Sequence, residues 1–215
     1  MSTITIRPAT INDSDSIANI HYEALQFYHD FYAAFFQLHP RDLIPLATRN
    51  ALQNPGQQHF LVAEQAGEIV GFVRYKEVFK DIKPNSNAKP PASRLMHRKK
   101  KPLMGKIILA SLFFFMYHQR KGIGGLLLQS VTEKADAANA PTLIVSSVEG
   151  HGLYRKHGFE SLGIWAVDNG EWAHKIAEHE RAIGYTDGVI DIEDKYRGIR
   201  EVEDSMIRQP SIRVA

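Results

Sequence analysis

The sequence predicts an α/β (α+β) fold: one mixed, mostly antiparallel sheet of about seven strands with helices on both faces. Three observations predict it. Segments of alternating apolar residues interleave with segments of helical apolar spacing, in the order β, α, α, β, β, loop, β, α, β, α, β, insertion, β. Two β-rich runs in "HFLVAEQAGEIVGFVRYKEV" flank Gln65-Ala66-Gly67, the signature of a hairpin. Residues 107–147 read as strand, helix, strand, which makes a parallel pair with a right-handed crossover.

Each element follows from local pattern. "TITIRP" alternates apolar and polar and stops at Pro8, as a strand does. Ile17, Ile20, Ala24, Leu25 and Tyr28 recur at helical spacing behind a cluster of capping residues from Thr10 to Asp15. A second helix is predicted from Phe31 to Leu52, ended by Asn54-Pro55-Gly56. After the hairpin, residues 80–106 carry prolines at 84, 90, 91 and 102 with little periodicity, a long loop. "IILASLFFFMY", Ile107 to Tyr117, is apolar on both alternations and reads as a strand covered on both faces. Gly124, Leu127, Leu128, Val131 and Ala135 then make one face of a helix, and Gln129, Glu133, Lys134 and Asp136 the other. Pro141 precedes the strand "TLIVSS", and "GHGLYRKH" is a short helix closed by Gly158. "FESLGIWAV" is a further strand. Residues 168–200 are polar and partly helical, and "VEDSMIRQPSI" suits a last edge strand.

Composition narrows the class of protein. The 215 residues are enough for one domain with a real core. A net charge of +2 with 23% charged residues points to neither nucleic acid nor membrane. With Cys 0, disulfides, thiolate metal sites and a cysteine acyl-enzyme are excluded. "MSTITIRPAT" lacks the pattern of a signal peptide, and the longest apolar run falls well short of the roughly 20 residues of a membrane helix. A soluble cytoplasmic protein is expected. "RKKKP" within the basic 80–106 loop leaves a nuclear location, a polyanion patch or a plain solvated insertion open.

Chemistry concentrates in "HQRKGIGGLLLQS". The dinucleotide fingerprint fails there, because its third glycine would fall at Leu127, and no P-loop string occurs. What remains is [Q/R]-x-x-G-x-[G/A], as Gln119, Gly122 and Gly124, between a buried strand and an amphipathic helix. The first helical turn offers free N–H groups and about half a positive charge, glycine lets an anion come close, and Arg120 and Lys121 add charge. A tight strand-to-helix turn that needs glycine would leave the same trace. A second motif follows in "SSVEGHGLYRKHGFE".

These motifs together resemble the GCN5-related N-acetyltransferase (GNAT) superfamily, whose later motif commonly reads L-Y-x-x-x-G-F, here Leu153 to Phe159. "ITIRPAT" and "FLVAEQAGEIVGFV" resemble its first three strands, so the likeness runs from about residue 3 to 167. The resemblance implies a single acetyltransferase domain over 1–215, with a basic insertion at 80–106 and another at 168–200. It implies a sheet split between strands 4 and 5 that takes acetyl-CoA as cosubstrate and moves its acetyl group directly onto a primary amine. By the same resemblance, Gln119, Arg120, Lys121, Gly122, Ile123, Gly124 and Gly125 would hold the pyrophosphate. The backbone of Phe114, Phe115 and Met116 would hold the pantetheine, Ser147 the cofactor arm, and Tyr154 would be the general acid. Ser147 also suits a plain helix cap, and Tyr154 a packing role.

The chain departs from the better-known pattern on the fourth strand, where "KIILASLFFFM" carries no glutamate base and Ser111 is its only hydroxyl. His21, Glu23, His118 or a water chain could serve instead. A coenzyme A-binding module with little catalysis, acting as a sensor or interaction protein, is the alternative this departure leaves. His174 and His179 lie five apart rather than four, so no metal site is expected. Trp165 and Trp172 flank the turn Asp168-Asn169-Gly170 and read as packing residues. The acceptor is expected to be a small molecule or peptide bearing an amine, with no nucleic acid or membrane. Dimers are common in the family, though no residue here demonstrates one.

Overall fold

A computed structural model describes residues 3–28, 43–56, 58–78, 107–114, 121–184 and 189–211. The elements are β1 (Ile4–Pro8), a 3-10 turn (Ile11–Asp13), α1 (Ser14–Tyr28), α2 (Leu43–Gln53), β2 (Gln58–Gln65), β3 (Glu68–Val78), β4 (Ile107–Phe114), α3 (Ile123–Ala137), β5 (Thr142–Ser147), α4 (Val148–Lys156), β6 (Glu160–Asp168), α5 (Asn169–Ala182), α6 (Val189–Lys195) and β7 (Arg200–Arg208). The 31–42 part of the second predicted helix, the 80–106 loop, and Phe115, Met116, His118, Gln119 and Arg120 lie outside the described residues.

The strands form a seven-stranded sheet in the order β1-β2-β3-β4-β5-β7-β6. Only the β4–β5 pair is parallel among the six neighbouring pairs. That is the pair joined through α3, as a strand–helix–strand unit requires. The hairpin turns at Ala66 and Gly67, both at positive φ (54° and 85°), the twist that suits a two-residue connection. The last strand departs from expectation. β7 is not an edge: it pairs with β5 on one side and β6 on the other, so β6 is the edge. The reason lies in the 168–200 stretch, which folds as α5 and α6 around Ala173, Ile192 and Tyr196 and returns the chain into the sheet.

One face of the sheet is covered by α3 and α4. Leu127, Leu128, Val131 and Ala135 are buried against Val73, Ile108, Ile144 and Met206. The opposite stripe of α3, Gln129, Glu133 and Lys134, is exposed, as the helical pattern predicted. The other face carries α1, with Ile17 and Ile20 on Phe60, Val62 and Phe72. Arg7 fastens β1 to the start of α1 through paired hydrogen bonds to Asp13 (2.8 and 2.9 Å) and a third to Glu64 (2.7 Å). The Arg7 guanidinium holds the Asp13 carboxyl down at about 2.

Candidate active site

The sheet opens in its middle. β4 and β5 pair only at Ile108–Thr142, Leu109–Leu143 and Ala110–Ile144. β4 stays paired to β3 as far as Phe114, and β5 to β7 as far as Ser147. Beyond Ala110 the two strands therefore part, and β4 from Ser111 to Phe114 has no partner on its β5 side among the described residues. Backbone groups on both sides of that wedge can pair with a third body.

α3 begins beside the wedge. Gly122 sits at its N-terminus with φ +82° and ψ −1°, and no side chain caps the helix. Among the described residues no side chain accepts from the N–H groups of its first turn, which can meet another acceptor. Gly124 and Gly125 carry no side chain to cover them, and Lys121 is exposed next to them. A methyl group at Gly125 would lie 3.4 Å from His157 Nε2, so the end of α4 reaches the first turn of α3. Burial, then the charge of Arg208, pushes the His157 imidazole down.

α4 carries the second half of the site. Ser147 caps it, its Oγ accepting from the Gly150 N–H at 3.4 Å. The cap role weighed from the sequence is thus filled, without bearing on any further role. Tyr154 is buried, with its ring 5.8 Å from that of Phe159 and no hydrogen bond from its hydroxyl to the described residues. Burial pushes its phenol well above the ordinary value, so it remains protonated at any working pH. Asp204 on β7 anchors the helix from the side: His151 Nε2 lies 2.9 Å from one carboxylate oxygen, and Ser161 Oγ donates to the other at 2.6 Å. Sequence reasoning missed this anchor, because its partners are drawn from three elements and no local pattern links them.

The backbone of Gly150 touches the tyrosine ring. A Cβ there would fall 2.9 Å from Tyr154 Cε2, whereas a Cβ at Gly152 would meet nothing within 4 Å. Both are helical glycines, where alanine is favoured by about 0.5–1 kcal/mol. Gly152→Ala should therefore raise Tm with kcat unchanged. Gly150→Ala should forfeit that gain and lower kcat, because the ring must move. Equal melting temperatures and turnover for the two variants would contradict this placement.

Of the base candidates, His21 and Glu23 fall on different sides of α1. His21 is half-buried, edge-on to Phe72 with 6.1 Å between ring centres, while Glu23 is exposed. Burial, then the nearby Arg74 charge, pulls the His21 imidazole down to about 4. It is neutral at pH 7 and sits on the α1 face of the sheet, across from the helix that bears Tyr154. The unfolded chain binds a proton at His21 between about pH 6.5 and 4 and the folded chain does not. Stability thus falls as pH drops through that window. Urea unfolding at about pH 7 and about pH 5 should show a smaller loss for His21→Gln than for the unaltered protein; equal losses would contradict the assignment.

Trp165 and Trp172 are not the packing residues predicted. Trp165 is 40% exposed and Trp172 51%, Trp165 donating to Ser205 Oγ at 3.2 Å and Trp172 lying under Lys175. Among the described residues no helix is long and apolar enough to cross a membrane, and no cluster of histidines and acids could hold a metal ion.

The family profile for the acetyltransferase (GNAT) domain matches residues 56–161, the span from β2 to the start of β6 that includes the wedge, α3 and α4. The fold is shared with solved acetyltransferases. An N-acetyltransferase from Staphylococcus aureus Mu50 superposes with a TM-score of 0.57 at 16% identity, covering 97% of this chain and 99% of its own. A Salmonella typhimurium protein solved with its cofactor acetyl-CoA gives a TM-score of 0.55 at 17% identity, covering 100% and 98%. The PaiA N-acetyltransferase of Thermoplasma acidophilum, in complex with coenzyme A, gives 0.51 at 14%, covering 96% and 99%. No curated protein matches the sequence. Residues 56–161 thus match the acetyltransferase (GNAT) domain family, whose members are acyl-transfer enzymes with acetyl-CoA as cosubstrate, and the fold as a whole is that of solved acetyltransferases.

Proposed function

We propose that this chain is an N-acetyltransferase that moves the acetyl group of acetyl-CoA directly onto a primary amine within a ternary complex. The observation that carries the reading is the β4–β5 wedge opening beside the uncapped N-terminus of α3, inside the stretch that matches the family. The bare N–H groups at Ile123, Gly124 and Gly125, with Gly122 and Lys121, suit a pyrophosphate, and Gln119 and Arg120 would complete the loop. The β4 backbone from Ser111 to Phe114, which pairs with no described residue on its β5 side, suits an amide-bearing arm such as pantetheine, with Ser147 on the facing strand; Phe115 and Met116 would add to that contact. When bound, acetyl-CoA supplies an activated acetyl thioester.

The chain's own groups then have separate tasks. N–H donors along the wedge stabilise negative charge on the thioester oxygen as the amine attacks. Tyr154 donates its phenolic proton to the departing sulfur. Burial raises the phenol, but the same loss of water raises the basicity of a thiolate beside it, so the two remain matched. His21, neutral on the α1 face of the sheet, would lie on the side from which the amine approaches. No cysteine is available to carry the acetyl group, which favours direct transfer. Initial-velocity measurements with both substrates varied should give intersecting reciprocal lines. Parallel lines would contradict a ternary complex and point to an acyl-enzyme.

A further inference from the structure

Arg74 is a cation without an anion among the described residues. Among the described residues Arg7, Arg49, Arg181, Arg197, Arg200 and Arg208 each pair with a carboxylate. Arg74 and Arg155 do not, and Arg155 is exposed. Arg74 is half-buried, and burial lowers its pKa with no acid among the described residues to raise it. Its place on β3 is also specific. The register puts it opposite Phe60 on β2 and Ser111 on β4. Directly opposite residues point to the same face of a sheet, so Phe60, Arg74 and Ser111 share the α1 face with Phe72. None of these neighbours is an acid. Ser111 is the first β4 residue beyond the last β4–β5 pair, at the mouth of the wedge. His21, which feels the Arg74 charge, completes the surroundings as a neutral ring.

A half-buried, unpaired guanidinium costs stability, and it is more usefully held for a ligand than for the fold. We propose that Arg74 recognises an anionic group on the acceptor, and that the acceptor is a small amine bearing a carboxylate, of the amino-acid class. The inference rests on the transferase reading above. The guanidinium presents a planar fork that a carboxylate meets through two hydrogen bonds, and the Ser111 hydroxyl on the neighbouring strand can add a third. An acceptor anchored there lies on the α1 face beside His21, with its amine directed to the wedge.

The test compares L-amino acids with their C-terminal amides, which keep the amine and side chain and lose the charge. The unaltered protein should show kcat/KM about 10–100-fold higher for the acids. Arg74→Gln should remove that preference by lowering the acid rates alone, with the KM for acetyl-CoA and the amide rates unchanged. Arg74→Lys should restore part of the preference. The melting temperature of Arg74→Gln should be equal or higher, whereas a structural role predicts a fall. Calorimetric titration of the acids and amides into protein saturated with coenzyme A reads the same discrimination without turnover. Carboxylate-dependent binding with no transfer would sustain the Arg74 assignment and overturn the transferase reading. Amides used or bound as well as acids, acids and amides both neither used nor bound, or an acid preference that survives Arg74→Gln, would overturn the proposal.

Discussion

Tyr154→Phe is expected to lower kcat by about 100-fold or more and to leave the KM for acetyl-CoA nearly unchanged. The substitution removes one oxygen from a ring that remains packed on Phe159 and Gly150, so the fold is kept. What it removes is a proton held by a phenol that burial keeps protonated. A group that acts only as charge builds on the leaving sulfur affects kcat and kcat/KM alike and leaves ground-state binding alone. The pH profile carries the same signature. The rate should rise with pH as the acceptor amine loses its proton, with no fall from Tyr154 below about pH 10. Unchanged turnover in the Phe variant would leave Tyr154 with packing alone.

Gly122→Val should raise the KM for acetyl-CoA by about ten-fold or more, with a smaller effect on kcat. Nothing lies within 4 Å of a Cβ built at Gly122, so crowding by neighbours is not the cause. The cause is the backbone. At φ +82° a β-branched residue is a genuine outlier, and relief requires the peptide to turn. That turn would redirect the first N–H groups of α3, the groups proposed to meet the pyrophosphate. Gly122→Asn tolerates the left-handed region better and should cost less. A Val variant with unaltered KM would show that the turn serves the fold and not the cosubstrate.

Much of the fold was legible because local pattern and tertiary position agree. The stripe Leu127, Leu128, Val131 and Ala135 is buried as its spacing predicts, and Gly158 takes the positive φ of a helix-terminating glycine. The parting of β4 from β5 was implied by family resemblance alone, since nothing in "IILASLFFFMY" marks where pairing stops. The position of β7 was misread because an alternating strand looks the same at an edge as between two neighbours, and its place depends on the course of α5 and α6. Among the candidate site residues, the glycines stood out by their spacing and Tyr154 by the family resemblance alone. Arg74 did not, because the role proposed for it rests on there being no acid beside it among the described residues, on strands and helices distant in sequence. His151, Ser161 and Asp204 were hidden for the same reason: their contact spans β6, β7 and α4.

The most direct measurement is thiol release from acetyl-CoA across a panel of amines, followed with a colorimetric thiol reagent. The protein has no cysteine, so it contributes no background. Release that depends on the added amine, with the acetylated amine recovered as product, is the predicted result. The absence of release with every amine, together with no rise in melting temperature on adding acetyl-CoA, would contradict both the cosubstrate site at Gly122 and the transfer chemistry assigned to Tyr154.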